Sequence, residues 1–299
     1  MKHISAHTLR TVSMPCGMVV GALLCRQISA FDAWSGHLLT PVLIFLMLFC
    51  TFCRVDVRKM RLSMMHLWLL VAQMVGCLAV YFLLLPAGEI IAQGGMICVL
   101  APIAMAAVVI GGMLGANIET MATYSLLCNF ATAMLAPLII SFTGNGECSL
   151  WQILAKVAPL LIAPFIAGQF CRFCVRPVGR WVAEHSRISF YLWLVSLAVI
   201  VGRTTSFIID SGTADSGTEI ALAVVAFVIC IAQFATGRLI GSHYGDRIAG
   251  GQSLGQKNTV LAVWLAQSFL NPLSSVAPTA YIVWQNIVNS YQIWKKEDL

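Results

Sequence analysis

The chain has 299 residues, of which 59% are hydrophobic and 10% charged, and its mean hydropathy is +0.86. Those values exclude an ordinary soluble domain, where about 25% of residues are charged, and define an all-α polytopic membrane protein. The formal charge of +6 does not mark a nucleic-acid partner, because the basic residues sit at the ends of apolar segments rather than along one solvated face.

Cutting the chain at its polar breaks predicts about ten spans, near 12–29, 39–53, 63–85, 94–114, 118–142, 152–174, 188–209, 218–240, 249–270 and 275–294. Each is close to the ~20 residues that cross ~30 Å of hydrocarbon. With the N-terminus in the cytoplasm, the inner side collects Lys2, Arg10, Arg54, Arg58, Lys59, Arg61, Arg172, Arg176, Arg180, Arg187, Arg238, Arg247, Lys295 and Lys296. The outer side holds Asp32, Glu89, Glu147, Asp210, Asp215 and Glu219. This asymmetry predicts a multi-pass protein of the cell's inner (cytoplasmic) membrane with both termini cytoplasmic. Lys2, Arg10, the run Val12–Leu24 and Ser29-Ala30 also fit a cleavable signal peptide. Arg26 at the end of that run and the even number of spans argue for a retained first helix. No linker or low-complexity tract interrupts the chain, so residues 1–299 are expected to form one transmembrane domain, with membrane lipid around it.

In chain order, the third span carries Ala72-Gln73, which the eighth repeats as Ala232-Gln233. The fourth contains Pro102, then Gly111, Gly112 and Gly115; the ninth contains Gly250, Gly251 and Gly255 ahead of Lys257. Broken helices in corresponding places of two halves point to inverted repeats, about 1–145 and 150–299, whose unwound backbone lines a substrate or ion site. Close helix packing is the competing explanation of the glycines. At the start of the fifth span Asn117 is placed to cap the free amides and Glu119 to suit the helix dipole, which is preferred to a proton-relay role for Glu119. Arg203, near the outer end of the seventh span, is expected to snorkel to the interface. Most polar of all is Ser253-Leu254-Gly255-Gln256-Lys257-Asn258-Thr259. A lysine there costs roughly 2.5–3.5 kcal/mol on insertion scales and calls for a partner, a ligand or a water-filled path. On the last span Gln285, Asn286 and Asn289 either line a substrate path or bond between helices.

The ninth and tenth spans resemble those of the bile acid:sodium symporter family. Gly255, Asn258, Leu261 and Ala262 fall where that family has a Glu-Val-Gly-Met-Gln-Asn-Ser-Gly-Leu-Ala run, and Trp284 and Asn286 match its Trp-His-Asn. Pro102, Asn117 and Pro137 take the spacing of its crossover proline, its Arg-Gly-Asn hairpin and a later proline, and Ala72-Gln73 matches an Ala-Gln pair. The resemblance implies ten helices in two inverted repeats of five with broken fourth and ninth helices, a panel and a core domain, and alternating access for organic anions coupled to sodium.

This chain departs from the family where the family binds sodium. The ninth-helix glutamate is Ser253, the Ser-Asn pair after the crossover proline is Ala107-Val108, and two hydroxyl positions of the fifth helix are Met121 and Ser125. A hard cation wants oxygen ligands, so one sodium site has lost nearly all of its side chains. At the second site Gln73 survives, whereas the ninth-helix glutamine is Lys257. Lys257 is therefore expected to replace the ion, donating to Gln73, to carbonyls around Gly255 or to Ser253. It then serves either as a countercharge for an anionic substrate or as a proton carrier, because burial disfavours an ammonium. The expected substrate or ion residues are Lys257, Gln73, Ser253, Gln256, Asn258, Ser125 and Asn286, with Pro102 and Gly255 at the helix breaks.

Of the eleven cysteines only Cys148 falls clearly in an outer loop, so no disulfide framework is predicted. Cys50-x-x-Cys53 and Cys171-x-x-Cys174 have zinc-like spacing at the same inner side, but no metal site is assigned. No phosphate loop, His-Glu-x-x-His or nucleophile-elbow motif occurs, and the histidines are scattered, so no enzyme and no cofactor is expected. The rival classes are an anion channel or facilitator, with selectivity set by Lys257, and an arsenite-type permease. Ala101-Pro102-Ile103-Ala104-Met105 resembles the fourth-helix motif of the latter, without the cysteine beside the proline. An organic anion is the preferred substrate; its identity, the coupling ion (proton or sodium) and the oligomeric state are left open by the sequence.

Overall fold

A computed structural model describes residues 6–144, 149–211 and 216–297. Lys2, Glu147, Cys148 and Asp215, used above for topology and cysteine placement, lie outside them. The elements in chain order are α1 (Ala6–Leu23), α2 (Cys25–Trp34), α3 (Leu39–Arg54), α4 (Met64–Leu84), α5 (Glu89–Leu100), α6 (Met105–Leu114), α7 (Ile118–Thr143), α8 (Leu150–Phe173), α9 (Arg176–Glu184), α10 (Ser186–Ser211), α11 (Ser216–His243), α12 (Arg247–Gly255), α13 (Thr259–Phe269) and α14 (Val276–Glu297). Short 3-10 turns lie at Val57–Lys59, Leu85–Ala87 and Pro272–Ser275. No β-strand occurs among the described residues.

Among the described residues five helices are long and apolar enough to cross a membrane alone: Met64–Ala87, Ile118–Thr143, Leu150–Phe173, Ile188–Asp210 and Gly217–His243. Pro15–Leu23 of α1 and α2 pass the same test only when taken together as one bent span, which would make six. The other expected spans fall short for local reasons. Two are broken, so their halves α5, α6, α12 and α13 have 12, 10, 9 and 11 residues, or about 14–18 Å at 1.5 Å per residue. α3 has 16 residues, and α14 interleaves Gln285, Asn286, Asn289 and Gln292 with its apolar positions. Pro137 lies inside α7 without breaking it.

The chain divides into two compact units, Met1–Arg54 with Pro164–Ala214, and Val55–Ala163 with Asp215–Leu299. Each unit therefore draws on both halves of the sequence.

The first unit departs from expectation at two places. Its opening segment is not one straight span: α1 and α2 meet at 74° around Leu24. α2 carries Arg26, Gln27, Ser29 and Asp32, and of these Arg26 and Asp32 find partners along α10 instead of continuing a hydrocarbon-facing helix. Arg26 pairs with Asp210 at 2.5 Å. Asp32, expected in an outer loop, lies in α2 at 1% exposure and accepts His37 Nδ1 at 2.8 Å. Arg203, expected to snorkel, instead sets Nε 3.4 Å from Asp32 and donates from Nη1 to Thr40 at 3.1 Å. A buried carboxylate supplies a nearer partner than the interface does.

The second departure is α9, a helix with no counterpart among the expected spans. It opens with Pro177 in its first turn, where a missing N–H costs nothing. Its Gly179 lies against the backbone of Cys171 and Arg172, and its Val182 packs with Cys50 and Cys53, against which Cys171 also rests. The two Cys-x-x-Cys motifs thus approach each other, but Cys174 is exposed. Among the described residues no three His, Cys, Asp or Glu side chains are placed to hold a metal ion.

In the second unit α11 and α12 make the closest helix contact. A Cβ on Gly237 would overlap the carbonyl of Gly250, one on Gly250 would overlap the carbonyl of Gly237, and one on Gly241 would strike Asp246. Gly250 and Gly251 are therefore packing glycines inside α12, not the break itself; small residues at this spacing let two backbones touch. α6 ends at Gly115 with φ +97°, a left-handed cap that a side chain would strain.

Candidate functional site

Both predicted breaks occur in the second unit. α5 stops at Leu100 and α6 resumes at Met105; α12 stops at Gly255 and α13 resumes at Thr259. The two unwound segments cross as a single antiparallel bridge between Ile103 and Lys257. Ala104 N donates to Gln256 O at 2.8 Å and Asn258 N donates to Pro102 O at 2.7 Å. Pro102 enforces the break on its side, since it lacks an N–H and disfavours helical backbone in the residue before it. On the other side Gly255 ends α12 flat against the ring of Phe234, with no room for a Cβ. Asn258 then starts α13 as its N-cap, accepting from Leu261 N at 3.2 Å.

A helix that stops inside a protein leaves carbonyls without partners, and in an apolar surrounding each must be satisfied. At the end of α5 the accounting closes residue by residue. Ile97 O receives Ala101 N at 3.1 Å. Cys98 O receives Gln233 Nε2 at 3.3 Å, and Val99 O receives Lys257 Nζ at 2.9 Å. Leu100 O and Ala101 O both receive Gln73 Nε2, at 2.9 and 3.0 Å. Side chains from α4, from α11 and from the opposite unwound segment thus cap one helix end.

Gln73 is 0% exposed and its oxygen accepts from Tyr124 at 2.8 Å and from the Cys128 thiol at 3.2 Å. The end of α12 has a related brace: Tyr281 donates to Gly255 O at 2.8 Å and receives Gln233 Nε2 at 3.0 Å. The two Ala-Gln dipeptides therefore do matching work, each with a tyrosine 51 or 48 residues further along the chain. Neither tyrosine stood out in the sequence, since the two separations differ by three residues and give no shared spacing.

Lys257 is 1% exposed. Its backbone N–H donates to Gln285 Oε1 at 2.9 Å, and its ammonium reaches a freed backbone carbonyl as expected, but one on α5 rather than around Gly255, and neither Gln73 nor Ser253. That end of α5 carries the negative pole of its dipole, so a cation is favoured there. Two buried polar oxygens stand beside it in sequence without a hydrogen bond among the described residues, Ser253 Oγ and Gln256 Oε1. Ala107 and Met121 are both fully buried in an apolar cluster with Leu254, Tyr124 and Cys128. Ser125 is buried on α7, its carbonyl accepting from Asn129 at 2.7 Å, and Asn286 donates to Ile282 O of its own helix at 2.6 Å. Neither is joined to the crossing by a hydrogen bond among the described residues. Gln285 and Asn289 do bond between helices, Asn289 through Gln252 at 3.0 Å. Asn117 caps α7 by accepting from Thr120 N at 3.1 Å, and Glu119 is exposed in its first turn, the cap arrangement expected.

Several apolar helices of spanning length, together with two helices broken at one crossing that buries a lysine, define a multi-pass membrane protein of the transporter class. The profile of the SBF-like CPA transporter family, related to the bile acid:sodium symporters, matches residues 42–288. The chain belongs to that family. No curated protein matches it.

Proposed function

We propose that this chain is a secondary active transporter that moves an organic anion by alternating access, with Lys257 in the place of a coupling cation, so that transport is proton-linked or independent of sodium. The observation that carries the reading is the Lys257 ammonium, buried and bonded at 2.9 Å to Val99 O at a half-helix C-terminus, a setting in which broken-helix transporters coordinate cations. The apolar packing of Ala107 and Met121 supports loss of sodium ligands, because carbon and thioether side chains are poor partners for a hard cation. Ser253 Oγ and Gln256 Oε1, buried and unpaired, are the free acceptors beside Lys257 for a water or a transported proton. The proposal includes ten membrane passages in two inverted repeats of five, both termini cytoplasmic, in the inner membrane. The matched braces Gln73–Tyr124 and Gln233–Tyr281 support the repeat, and an organic anion suits a cationic crossing better than a neutral solute does.

Uptake into proteoliposomes under separately imposed sodium and pH gradients, with a panel of labelled carboxylates, tests this. Uptake that follows the pH gradient, or that ignores both ions yet saturates, agrees with the proposal; strong sodium stimulation overturns it. Lys257→Gln should alter the ion dependence or abolish uptake, and unchanged uptake with the same ion dependence removes Lys257 from the mechanism. Conductive anion flux that no ion gradient can drive uphill would mean a channel.

A further inference from the structure

Outside the crossing, the second unit carries a groove of about 780 Å³ between α11 and α14. Phe227 and Trp284 pack edge to face at one end, ring centroids 5.0 Å apart, with Trp284 Nε1 donating to Ala223 O at 3.0 Å. Ile231 and Phe234 continue the wall, and Arg238 and Arg247 line it toward the C-terminal end of α11. From Phe227 to Arg238 along α11 is about 16 Å at 1.5 Å per residue.

Both side chains line the groove, and neither forms an ion pair or donates a hydrogen bond among the described residues. The acid nearest in sequence is already engaged: Asp246 accepts Ala249 N on one oxygen and Asn117 N on the other, each at 2.9 Å. Arg238 is also held in position, because its stem crosses α12 at Gly251, where a Cβ would sit 2.6 Å from Arg238 Cγ. An apolar trough lined toward the C-terminal end of α11 by two arginines with no ion-pair partner among the described residues is complementary to a molecule with a hydrocarbon tail and an anionic head. Guanidinium and phosphate match as planar donors to a set of oxygens, and basic pockets between membrane helices hold lipid head groups.

We propose that this groove binds an anionic phospholipid from the leaflet at the C-terminal end of α11, its phosphate on Arg238 and Arg247 and an acyl chain along Phe227, Ile231 and Phe234. The test uses the full chain, purified in a mild detergent and titrated with dioleoylphosphatidylglycerol or dioleoylphosphatidylcholine. Retained lipid is read by native mass spectrometry and the unfolding midpoint by heating. Retention of the phosphatidylglycerol should exceed that of the phosphatidylcholine at least tenfold and should raise the midpoint. Arg238→Gln with Arg247→Gln should erase the preference, and the paired lysine substitutions should keep part of it. Ala235→Trp, which fills the groove and leaves both arginines, should also erase it and decides the matter should the glutamine pair not fold. Equal retention of the two lipids, an undiminished preference in Ala235→Trp, or the same stabilisation by sodium phosphate alone would overturn the proposal. The transport reading does not enter this experiment, so either can fail without the other.

Discussion

Replacing Gln73 by leucine should cost more stability than any other single uncharged substitution at the crossing. Gln73 donates to Leu100 O and Ala101 O and accepts from the Tyr124 hydroxyl, with the Cys128 thiol as a weaker fourth contact. Leucine fills nearly the same space and leaves three strong polar groups unpaired. Hydrogen bonds between membrane helices average about 0.6 kcal/mol, which for three gives roughly 2 kcal/mol. Buried groups that find no second partner cost about 1–3 kcal/mol each, which would give roughly 3–9 kcal/mol. The upper regime applies to the two carbonyls, because the chain leaves the helix at Ala101 and the N–H that would continue the ladder to Leu100 O, that of Ala104, is bonded to Gln256 O instead. The expected loss is therefore about 3–5 kcal/mol. Gln285→Leu is the comparison, since its oxygen takes the Lys257 N–H, and about 1 kcal/mol is expected. Unfolding of the purified protein in mixed micelles of increasing SDS fraction measures both. A Gln73→Leu loss no larger than that of Gln285→Leu would refute the accounting of the α5 end.

Three further outcomes follow from the same contacts. Lys257→Met orphans Val99 O, at about 1–3 kcal/mol, but also removes a buried charge whose desolvation costs several kcal/mol; the unfolding midpoint should hold or rise while uptake falls, and a large loss of stability would assign Lys257 a bracing role alone. Gly250→Val should prevent α11 and α12 from closing, because its Cβ overlaps the Gly237 carbonyl, whereas Gly76→Ala, with its nearest neighbour 3.7 Å away, should be tolerated; the yield of monodisperse protein after detergent extraction distinguishes them. Asp32→Ala should destabilise more than Asp32→Ala combined with Arg203→Ala, since the single change leaves a guanidinium at 18% exposure without its carboxylate; losing one partner of a buried pair costs up to about 3–5 kcal/mol, and thermal unfolding of the three proteins reports the order.

The crossing was legible because its causes are local. Pro102, and the polar run from Ser253 to Thr259, force breaks that no tertiary contact could hide, and Asn117 announces a helix start by side-chain chemistry, whereas the capping role of Asn258, expected as a substrate or ion residue, emerged only from the structure. The first segment was not legible in the same way: apolar composition in 12–29 reads as one span, while the bend at Leu24 depends on Asp210 and Arg203, both more than 170 positions away. Gly250 and Gly251 were ambiguous for a related reason, as glycine serves both breaks and close packing and only Gly237 opposite them decides which. Lys257 was singled out by its cost, yet its partner was not, because Val99 is an ordinary residue in an apolar run and its carbonyl becomes available only when α5 ends one residue later.

The capping of α5 also separates what the fold needs at position 257 from what it does not. Val99 O needs a donor, and the neighbouring carbonyls are served by uncharged ones, Gln233 at Cys98 O and Gln73 at Leu100 O and Ala101 O. A neutral amide thus does this job three times within four residues, without the cost of bringing charge into a site where Lys257 is 1% exposed. The position that differs is the one on the crossing strand itself, bonded through its backbone to Gln285 and bridged to Ile103. An ammonium there supplies a hydrogen bond that glutamine chemistry supplies elsewhere in the same cap, so the hydrogen bond alone does not account for the charge. On the proposed transport reading, what the charge adds is sensitivity to other charges: it opposes a second cation at the α5 terminus, attracts an anion, and can be given up with a proton. Those are the properties by which a transporter, rather than a static fold, is driven.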